Sequence, residues 1–372
     1  MLVGVPKEIK NHEYRVGLTP ESVNEIIHHG QTAIVESNAG AGIGATDAEY
    51  QNAGAQIVAT AAEVFERAEL IVKVKEPQAV ERAMLRPGQV LYTYLHLAPD
   101  PEQTKDLVAS GAVCIAYETV TSPRGGLPLL APMSEVAGRL SVQAGAHCLE
   151  KAQGGKGLLL GGVPGVEPAR VVIIGGGVVG THAAHIALGM GADTWVIDRS
   201  EDVLKRLWTQ FGRPLNTVYS TRTSLTQHVL DADLVIGGVL IPGAAAPKLV
   251  TADMIKAMRP GSVVVDVAID QGGCFETSHA TTHSDPTYVV DDVVHYCVAN
   301  MPGAVPRTST YALNNATLPY LMSLCDKGYI KALSDNEHLR NGLNVHKGDV
   351  TIREVAEALG YDYVDPMKSM AA

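Results

Sequence analysis

Apolar residues along the chain follow two alternating patterns. Short continuous apolar runs predict buried strands, and the longer segments between them, with apolar residues three and four apart, predict helices. Thr19, Pro20 and Glu21 mark the start of the first helix, because proline suits the first turn and an acid suits its positive end. The runs that predict strands in the first third of the chain are residues 2–5, 32–36, 56–59, 70–75, 90–96 and 112–118.

The alternation of strands and helices resumes after residue 170, following a long helix predicted at about 134–152. Strands and helices that alternate at this rhythm indicate a doubly wound parallel sheet in each half of the chain. The strands predicted in the second half are residues 171–174, 194–198, 217–220, 234–239, 262–267 and 287–290, with a further candidate at 295–298.

Two segments rich in proline and small or apolar residues, 127–133 and 301–306, are predicted to cross between the halves. Thr308, Ser309 and Thr310 are predicted to cap a helix that reaches about residue 326. After residue 331 the pattern predicts one more amphipathic helix, at 352–359. Two crossings imply that the tail returns to the first half.

A glycine-rich turn follows the predicted strand at 171–174. Gly175, Gly177 and Gly180 have the spacing G-x-G-x-x-G, and a helix is predicted from Val178 to about Met190. Val178 and Val179, between the second and third glycines, are candidate cofactor contacts with them. In this arrangement the first glycine permits a tight turn, the second lets the backbone approach a pyrophosphate, and the third lets helix and strand pack closely. The amino end of the helix then holds the phosphates.

An acid closes the next predicted strand. Asp198 lies eighteen residues after Gly180, where a carboxylate can accept hydrogen bonds from both ribose hydroxyls of an adenosine. The order strand, glycine turn, helix, strand and acid predicts a dinucleotide site. Asp198 favours NAD, because the 2′-phosphate of NADP would meet a like charge there. The adjacent Arg199 would offset part of that repulsion, so NADP stays an alternative.

These elements predict an α/β protein of two doubly wound, Rossmann-like parallel-sheet domains that flank a central cleft. Residues 1–130 and 305–372 are predicted to form a discontinuous catalytic or substrate domain, and residues 131–304 the NAD-binding domain. A chain of 372 residues is also too long for one comfortable core.

Composition narrows the class of protein. Hydrophobic residues make up 46% and charged residues 19%, which is typical of a compact globular protein. A net charge of −11 without a cluster of Lys and Arg argues against nucleic acid as a partner. No apolar run approaches the ~20 residues of a membrane span, and the strand-like start leaves no room for a signal peptide. Five widely spaced cysteines predict reduced, mostly buried thiols in a soluble cytoplasmic protein.

Four residues near predicted strand ends could carry chemistry. Arg15 and Lys75 suit a substrate carboxylate and a carbonyl or imine oxygen; alternatively both are solvated surface charges. His96 is a candidate general acid or base; alternatively it is a hydrogen-bonded core histidine. Asp270 can orient or deprotonate a water; alternatively it is a helix cap or turn acid.

A metal site is disfavoured by the sequence. His182 and His185 lie three residues apart on a predicted helix, and His279 and His283 lie four apart in a loop. Neither pair has the carboxylate or thiolate neighbours that a catalytic metal site needs. We predict no bound metal.

Long motifs across the whole chain resemble the alanine dehydrogenase and transhydrogenase alpha-subunit family. They are VPKEIKNHEYRVGLTP at 5–20, VKVKEP at 72–77, YLHLA at 94–98, the glycine turn at 175–180 and NMPGAVP at 300–306. The resemblance implies a reversible NAD-dependent L-alanine dehydrogenase, which converts L-alanine to pyruvate and ammonia. It also implies a homohexamer whose cleft opens and closes.

The resemblance also implies roles for individual residues. Arg15 and Lys75 correspond to substrate-binding positions, and His96 and Asp270 to the catalytic acid and base residues. The positions that correspond to cofactor contacts beyond the glycine turn are Ser134, Asp198, Ser220, Val239, Leu240, Val267, Ala268, Ile269, Asp270, Val298, Ala299, Asn300 and Met301.

The chain departs from the family at four positions. Val203 stands where many relatives have a basic residue near the adenosine ribose, and His279 stands where some have Arg. Both departures bear on cofactor affinity. Some relatives have a metal site near the long C-terminal helix, which Ser323 and Lys327 cannot supply here.

Two alternative functions remain open. A transhydrogenase-like subunit or NAD sensor would keep Gly175 to Gly180 and Asp198 without turning over amino acids. The joint presence of Arg15, Lys75, His96 and Asp270 argues against it, because a sensor does not need all four. A dehydrogenase for another small amino acid is the second alternative, since one methylene is worth only about 1–3 kcal/mol of discrimination.

Overall fold

The computed structural model describes residues 1–239 and 246–371. The chain forms two compact units: the first contains Met1–Met133 and Val305–Ala372, and the second contains Ser134–Ala304. Each unit is built around its own sheet.

The first segment of the chain alternates strands with helices. Thr19 caps the first helix, since its side chain accepts a hydrogen bond from the Ser22 N–H. The elements are β1 (Leu2–Val5), α1 (Pro20–His28), β2 (Thr32–Glu36), α2 (Asp47–Asn52), β3 (Gln56–Val58), α3 (Ala61–Arg67), β4 (Leu70–Val72), α4 (Ala79–Arg82), β5 (Val90–Thr93), α5 (Pro101–Ser110), β6 (Val113–Ala116) and α6 (Ala131–Cys148).

The middle segment repeats the alternation and ends in a hairpin. Its elements are β7 (Arg170–Ile174), α7 (Val178–Gly189), β8 (Asp193–Asp198), α8 (Glu201–Phe211), β9 (Leu215–Tyr219), α9 (Arg222–Asp231), β10 (Leu234–Gly237), α10 (Ala252–Ala257), β11 (Val263–Asp266), β12 (Thr287–Val290) and β13 (Val293–Tyr296).

The final segment belongs to the first unit and is mostly helical. Its elements are α11 (Pro306–Lys327), α12 (Tyr329–Asp335), α13 (Glu337–Arg340), β14 (Leu343–His346), β15 (Asp349–Val350), α14 (Arg353–Leu359) and α15 (Pro366–Ala371).

The sheet of the first unit has the order β15-β14-β6-β5-β4-β1-β2-β3. The strands from β6 to β3 are parallel, and β14 and β15 extend the sheet at one edge as antiparallel strands. Strands β4, β5 and β6 are buried along their whole length, which explains why they are apolar at every position rather than at alternate ones.

The sheet of the second unit has the order β12-β13-β11-β10-β7-β8-β9. All neighbours are parallel except β12 and β13, which form an antiparallel hairpin. Asp291 and Asp292 form its turn with φ of 48° and 60°, the positive values that a two-residue hairpin turn requires.

The predicted α/β class with two doubly wound sheets is confirmed, and both sheets add antiparallel edge strands to a parallel core. Several predicted ends were wrong. β4 ends at Val72 and β5 at Thr93, so Lys75 and His96 lie in the loops that follow those strands.

The predicted start of the long C-terminal helix was also wrong. α11 begins at Pro306, so Thr308, Ser309 and Thr310 lie inside it and do not cap it. Proline has no N–H to satisfy, and its fixed φ suits the first helical position. The tail also contains α12, α13, β14, β15 and α15, which the pattern did not predict.

Candidate active site and dinucleotide-binding turn

The glycine turn after β7 has the geometry of a phosphate cradle. Gly175 has a φ of 94°, in the left-handed region that favours glycine. A Cβ on Gly180 would lie 1.8 Å from the Gly175 carbonyl oxygen, so α7 can approach the turn only with glycine there. A Cβ on Gly177 would meet nothing within 4 Å, so that side of the turn is open to a ligand. The turn therefore fits a pyrophosphate at the amino end of α7.

Asp198, at the end of β8, is tied to the glycine turn. Its Oδ2 accepts a hydrogen bond from the Gly176 N–H at 2.7 Å, and its Oδ1 accepts one from the Ser200 N–H at 2.8 Å. Each carboxylate oxygen has two acceptor sites, so both keep one for a ribose hydroxyl. The carboxylate is thus held in place where the sequence predicts it.

A cation near the turn was missed by the sequence analysis. The Arg206 guanidinium of α8 donates to the Gly176 carbonyl oxygen at 2.7 Å and to the Thr181 Oγ at 3.2 Å. Val203, one helical turn earlier, covers Gly176: a Cβ on that glycine would lie 2.6 Å from a Val203 methyl. The signal that could have found Arg206 is its position three residues after Val203, because residues three apart lie on one face of a helix.

The other positions implied as cofactor contacts follow the carboxyl ends of strands in the second unit. Ser220 follows β9, Val239 follows β10, and Val267, Ala268, Ile269 and Asp270 form a 3₁₀ turn after β11. Val298, Ala299, Asn300 and Met301 follow β13, and Ser134 lies in α6. Because parallel strands share one carboxyl edge, these strand ends meet on the side of the glycine turn. Leu240 lies outside the described residues.

Asp266 organises the segment that carries Asp270. It is fully buried and accepts hydrogen bonds from the Ser278 Oγ at 2.6 Å, the Cys274 N–H at 2.9 Å and the Ala268 N–H at 3.2 Å. Burial raises the pKa of Asp266 more than these donors lower it. Asp266, not Asp270, is the capping residue of the 3₁₀ turn, and Asp270 is exposed.

Arg15 is a buried charge in the first unit, only 2% exposed, which contradicts the surface-charge alternative. It donates from Nε and Nη2 to the two carboxylate oxygens of Glu13, at 2.7 and 2.6 Å, and from Nη1 to the Met133 sulfur at 3.1 Å. Burial lowers the pKa of Arg15, but the bonds and charge of Glu13 outweigh burial and raise it. The guanidinium is therefore charged and fixed.

A buried ion network lies beneath the loop that carries Lys75. Lys73 is 0% exposed and donates to Glu8 at 3.0 Å and to Glu81 at 2.7 Å. Glu8 also accepts from the N–H groups of Val74 at 2.7 Å and Lys75 at 3.3 Å. The pKa of Glu8 is raised, because the effect of burial exceeds that of the Lys73 charge. The pKa of Lys73 is also raised, because the charges of Glu8 and Glu81 outweigh the effect of its burial. The network fixes the main chain of Lys75.

The Lys75 side chain is mostly buried beside Glu76. Its exposed fraction is 14%, and its Nζ lies 3.8 Å from Glu76 Oε2. Lys10 pairs with the other oxygen of Glu76. Burial would raise the pKa of Glu76, but Lys75 and Lys10 lower it to about 2. Lys75 therefore faces a permanent carboxylate, and the surface-charge alternative is wrong for it as well.

His96 is exposed, which contradicts the interpretation as a core histidine. Its ring stacks on Tyr94 with centroids 5.7 Å apart and an interplanar angle of 24°. Tyr94 is buried, its hydroxyl donates to the Leu129 carbonyl, and its hydroxyl lies in the electrostatic field of Arg15. Over residues 1–239 and 246–371, no hydrogen bond joins the His96 imidazole to the protein. The ring is open to exchange protons with a ligand.

In the part of the chain that the structure describes, no helix is long and apolar enough to cross a membrane. The same residues contain no group of three or more His, Cys, Asp or Glu side chains that could hold a metal ion. All five cysteines are free and buried, as predicted.

The glycine turn, its helix and Asp198 define a dinucleotide-binding α/β protein, and the first unit adds the cations Arg15 and Lys75 and an accessible histidine, His96. Models of the two domains of the alanine dehydrogenase/PNT family match this chain, the N-terminal domain over residues 4–137 and the C-terminal domain over residues 141–353. The chain therefore belongs to the alanine dehydrogenase/PNT family. Family and fold together imply a nicotinamide dinucleotide as cofactor.

Relatives extend the match over the full length. Alanine dehydrogenase of Halomonas elongata is 62% identical over 365 residues, 98% of each chain. A solved L-alanine dehydrogenase structure is 52% identical with a TM-score of 0.94, and covers 97% of this chain and 99% of its own. A transhydrogenase structure from Sinorhizobium meliloti is 25% identical with a TM-score of 0.83, and covers 94% and 100%.

Proposed function

We propose that the protein is an NAD-dependent L-alanine dehydrogenase, which reversibly converts L-alanine to pyruvate and ammonia. The observation that carries the proposal is that the accessible imidazole of His96 stacks on Tyr94, whose hydroxyl lies in the field of the buried Arg15, in the same unit as the mostly buried cation Lys75. The curated relatives named alanine dehydrogenase, 62% identical in one case, support the same function.

Arg15 and Lys75 are proposed to bind the substrate. A 2-oxo acid presents a carboxylate and a carbonyl oxygen, and two cations fixed by carboxylates suit those two groups. Arg15 would hold the substrate carboxylate, and Lys75 would polarise the oxygen of pyruvate or of the carbinolamine. Because Glu13 already holds the Arg15 guanidinium, that cation needs little reorganisation when the substrate binds, and Lys75 Nζ lies 3.8 Å from the Glu76 carboxylate.

His96 is proposed to move protons. The amine of alanine must lose a proton before hydride leaves its α-carbon, and the carbinolamine formed by water needs protons moved between oxygen and nitrogen. Histidine is the side chain most often used as a general acid or base, and the His96 ring is accessible. Asp270, exposed on its 3₁₀ turn, is proposed to orient water or ammonia.

The cofactor is proposed to be NAD. When bound, the nicotinamide accepts the hydride of alanine or returns it to the imine. The Gly175 to Gly180 turn would hold the pyrophosphate, and Asp198 would accept the ribose hydroxyls. The 2′-phosphate of NADP would meet the Asp198 charge, with Arg199 offsetting it only in part. The cofactor positions beyond the turn keep the roles that the family implies.

The tests are NAD reduction with a panel of small L-amino acids and NADH oxidation with pyruvate and ammonium, each repeated with NADP(H). We expect saturable activity with alanine and pyruvate, better than with serine or glycine, and preference for NAD. Binding of NADH without turnover of any panel member would favour a transhydrogenase-like subunit instead.

Variants test the assigned roles. Lys75→Ala and His96→Ala are expected to abolish turnover while NADH binding stays nearly intact, because neither residue belongs to the glycine turn. Arg67→Ala, an exposed cation that pairs with Glu63 on α3, is the control and should keep normal turnover. Near-normal turnover in either Lys75→Ala or His96→Ala would contradict the assignment.

We also propose a homohexamer in the cytoplasm. The hexamer is what the family implies, and five free, buried thiols suit a reducing compartment. The substrate domain is proposed to be the first unit and the NAD-binding domain the second. Light scattering after size exclusion measures the mass of the assembly, and a monomer would contradict this part of the proposal.

A further inference from the structure

The main chain at His96 adopts a conformation that residues other than glycine rarely take. Its φ is 50°, in the left-handed region. Such conformations persist only where the surroundings hold them, and they cluster at functional sites. The groups that hold His96 in this conformation therefore bear on how its imidazole is aimed.

One carboxylate accepts hydrogen bonds from the N–H groups of two successive residues, Leu95 and His96. The His96 N–H donates to Glu118 Oε1 at 2.6 Å, and the Leu95 N–H lies 3.2 and 3.3 Å from Oε1 and Oε2. Successive N–H groups that converge in this way form a concave anion-binding nest. Here the anion is supplied by the chain itself.

The sheet register brings Glu118 to this nest. β5 and β6 are parallel neighbours in which Thr93 pairs with Ala116. Leu95 and Glu118 each follow two residues after that pair, so they leave the sheet at the same level. Glu118 lies on a short 3₁₀ turn, Tyr117–Thr119, and is half-buried.

The carbonyl groups that flank His96 are held by side chains of α5 and not by Glu118. Gln103 Nε2 donates to the Leu95 carbonyl oxygen at 2.6 Å, and Thr104 Oγ donates to the Leu97 carbonyl oxygen at 3.1 Å. Both side chains come from α5 and are 0% exposed. The loop is thus fixed on both sides of His96, and Glu118 provides the contact to the His96 N–H itself.

The imidazole has a different kind of support from that of many catalytic histidines. In those sites a carboxylate bonds the second ring nitrogen and so orients the base. Within residues 1–239 and 246–371, the ring of His96 has a stacking contact with Tyr94 and no hydrogen bond to the protein. Its direction therefore depends on the main-chain conformation.

We propose that Glu118 is a positioning residue for His96, which acts through the main-chain N–H groups of Leu95 and His96. The inference rests on the proposed function of His96 as the proton-transferring group. Glu118 keeps His96 in its left-handed main-chain conformation, and that conformation sets the direction of the imidazole toward the substrate. Glu118 exchanges no proton with the substrate itself.

The test compares Glu118→Ala and Glu118→Gln with the wild-type assembly in the pyruvate, ammonium and NADH assay. NADH fluorescence titration counts binding sites, so that kcat is expressed per site. Alanine removes both acceptor oxygens, whereas glutamine keeps one. Glu102→Gln on α5, whose side chain is 80% exposed, is the matched control.

We expect Glu118→Ala to lower kcat per site about 10- to 100-fold, since a displacement of about 1 Å costs up to that much. Glu118→Gln should lose less, and Glu102→Gln should lose nothing. The NADH Kd and the KM for pyruvate should stay within about twofold of the wild-type values. The pH midpoint of the kcat/KM profile should stay within about half a pH unit of wild type.

Three results would overturn the proposal. The first is unchanged kcat in Glu118→Ala, and the second is a loss explained by fewer NADH sites, which means a role in folding. The third is a pH midpoint that moves by more than one unit, which means that Glu118 itself exchanges protons.

Failure of the proposed function has a separate signature. In that case the wild-type protein itself turns over neither alanine nor pyruvate. The positioning role is then tested by the crystal structure of Glu118→Ala. A His96 that leaves the positive-φ region supports the role, and one that keeps its φ near 50° overturns it.

Discussion

Three glycines of the same turn and helix allow one sharp test of the dinucleotide-binding turn. A Cβ on Gly180 would lie 1.8 Å from the Gly175 carbonyl oxygen, whereas Cβ atoms on Gly177 and Gly189 would meet nothing within 4 Å. Real Cβ atoms essentially never come nearer than 3.0 Å. In Gly180→Ala the helix α7 or the turn must therefore move by at least about 1.2 Å, the difference between 3.0 and 1.8 Å.

Gly180→Ala and Gly177→Ala should differ in stability, although both should weaken NADH binding. Gly180→Ala should lower the free energy of unfolding by about 1–3 kcal/mol, as overpacking against fixed backbone does. It should also weaken NADH binding at least tenfold, because the turn no longer has the shape of the cradle. Gly177→Ala should keep its stability and lose at least tenfold in NADH affinity, because its methyl group occupies the open side of the turn.

Gly189→Ala, in the last position of α7, is the control. Alanine favours helix by up to about 1 kcal/mol over glycine, so this variant should be at least as stable as wild type. Its NADH affinity should not change. The assays are thermal and urea unfolding and NADH fluorescence titration.

Wild-type stability and affinity in Gly180→Ala would refute the reasoning about close approach of α7 to the turn. A Gly177→Ala variant as unstable as Gly180→Ala would refute the conclusion that the second glycine faces open space. Either result would remove the structural basis for placing the pyrophosphate at this turn.

Two further predictions concern ionic groups near Lys75: the buried Lys73 and the neighbouring Glu76. Lys73→Met should cost about 3–5 kcal/mol of unfolding free energy at pH 8, because it leaves two buried carboxylates without a cation. The cost should be smaller at lower pH, because burial already raises the pKa of Glu8. Lys205→Met, whose side chain is 71% exposed, should change little, and equal effects of the two variants in urea unfolding would contradict this. Glu76→Gln should cost about 2 kcal/mol above pH 4.5, because the folded pKa of Glu76 is lowered to about 2, and the difference should narrow as the pH falls from 4.5 toward 2. A pH-independent difference in thermal midpoint would show that the charge of Glu76 does not stabilise the fold.

Local signals in the sequence predicted the framework of both units. The buried strands β1, β2 and β4 to β6 were found because continuous apolar runs need no tertiary context to be recognised. Thr19 and Pro20 marked α1 correctly, since a cap acts within one turn. The glycine turn and Asp198 were found for the same reason: their spacing along the chain is the spacing that the chemistry needs.

Signals in the tail were weaker and were misread. β14 is a strand of four residues, including Asn344 and His346, and it joins the edge of a sheet whose parallel strands, β1 to β6, lie more than 200 residues earlier. Its pattern is not strongly apolar, and its pairing with β6 arises only when the chain folds. Thr308 to Thr310 looked like a cap because a local pattern cannot show that α11 has already begun at Pro306.

The sequence by itself determined the two doubly wound sheets, the phosphate cradle and the identity of the charged residues near the strand ends. Only the tertiary structure decided which of those charges are held and by what. Glu8 and Glu118 reach the main-chain N–H groups of Val74 and His96 through sheet register and loop packing, for which no spacing in the sequence is a signal. A carboxylate stabilises a cation or a strained peptide only within a few ångströms, and that proximity is a property of the folded chain.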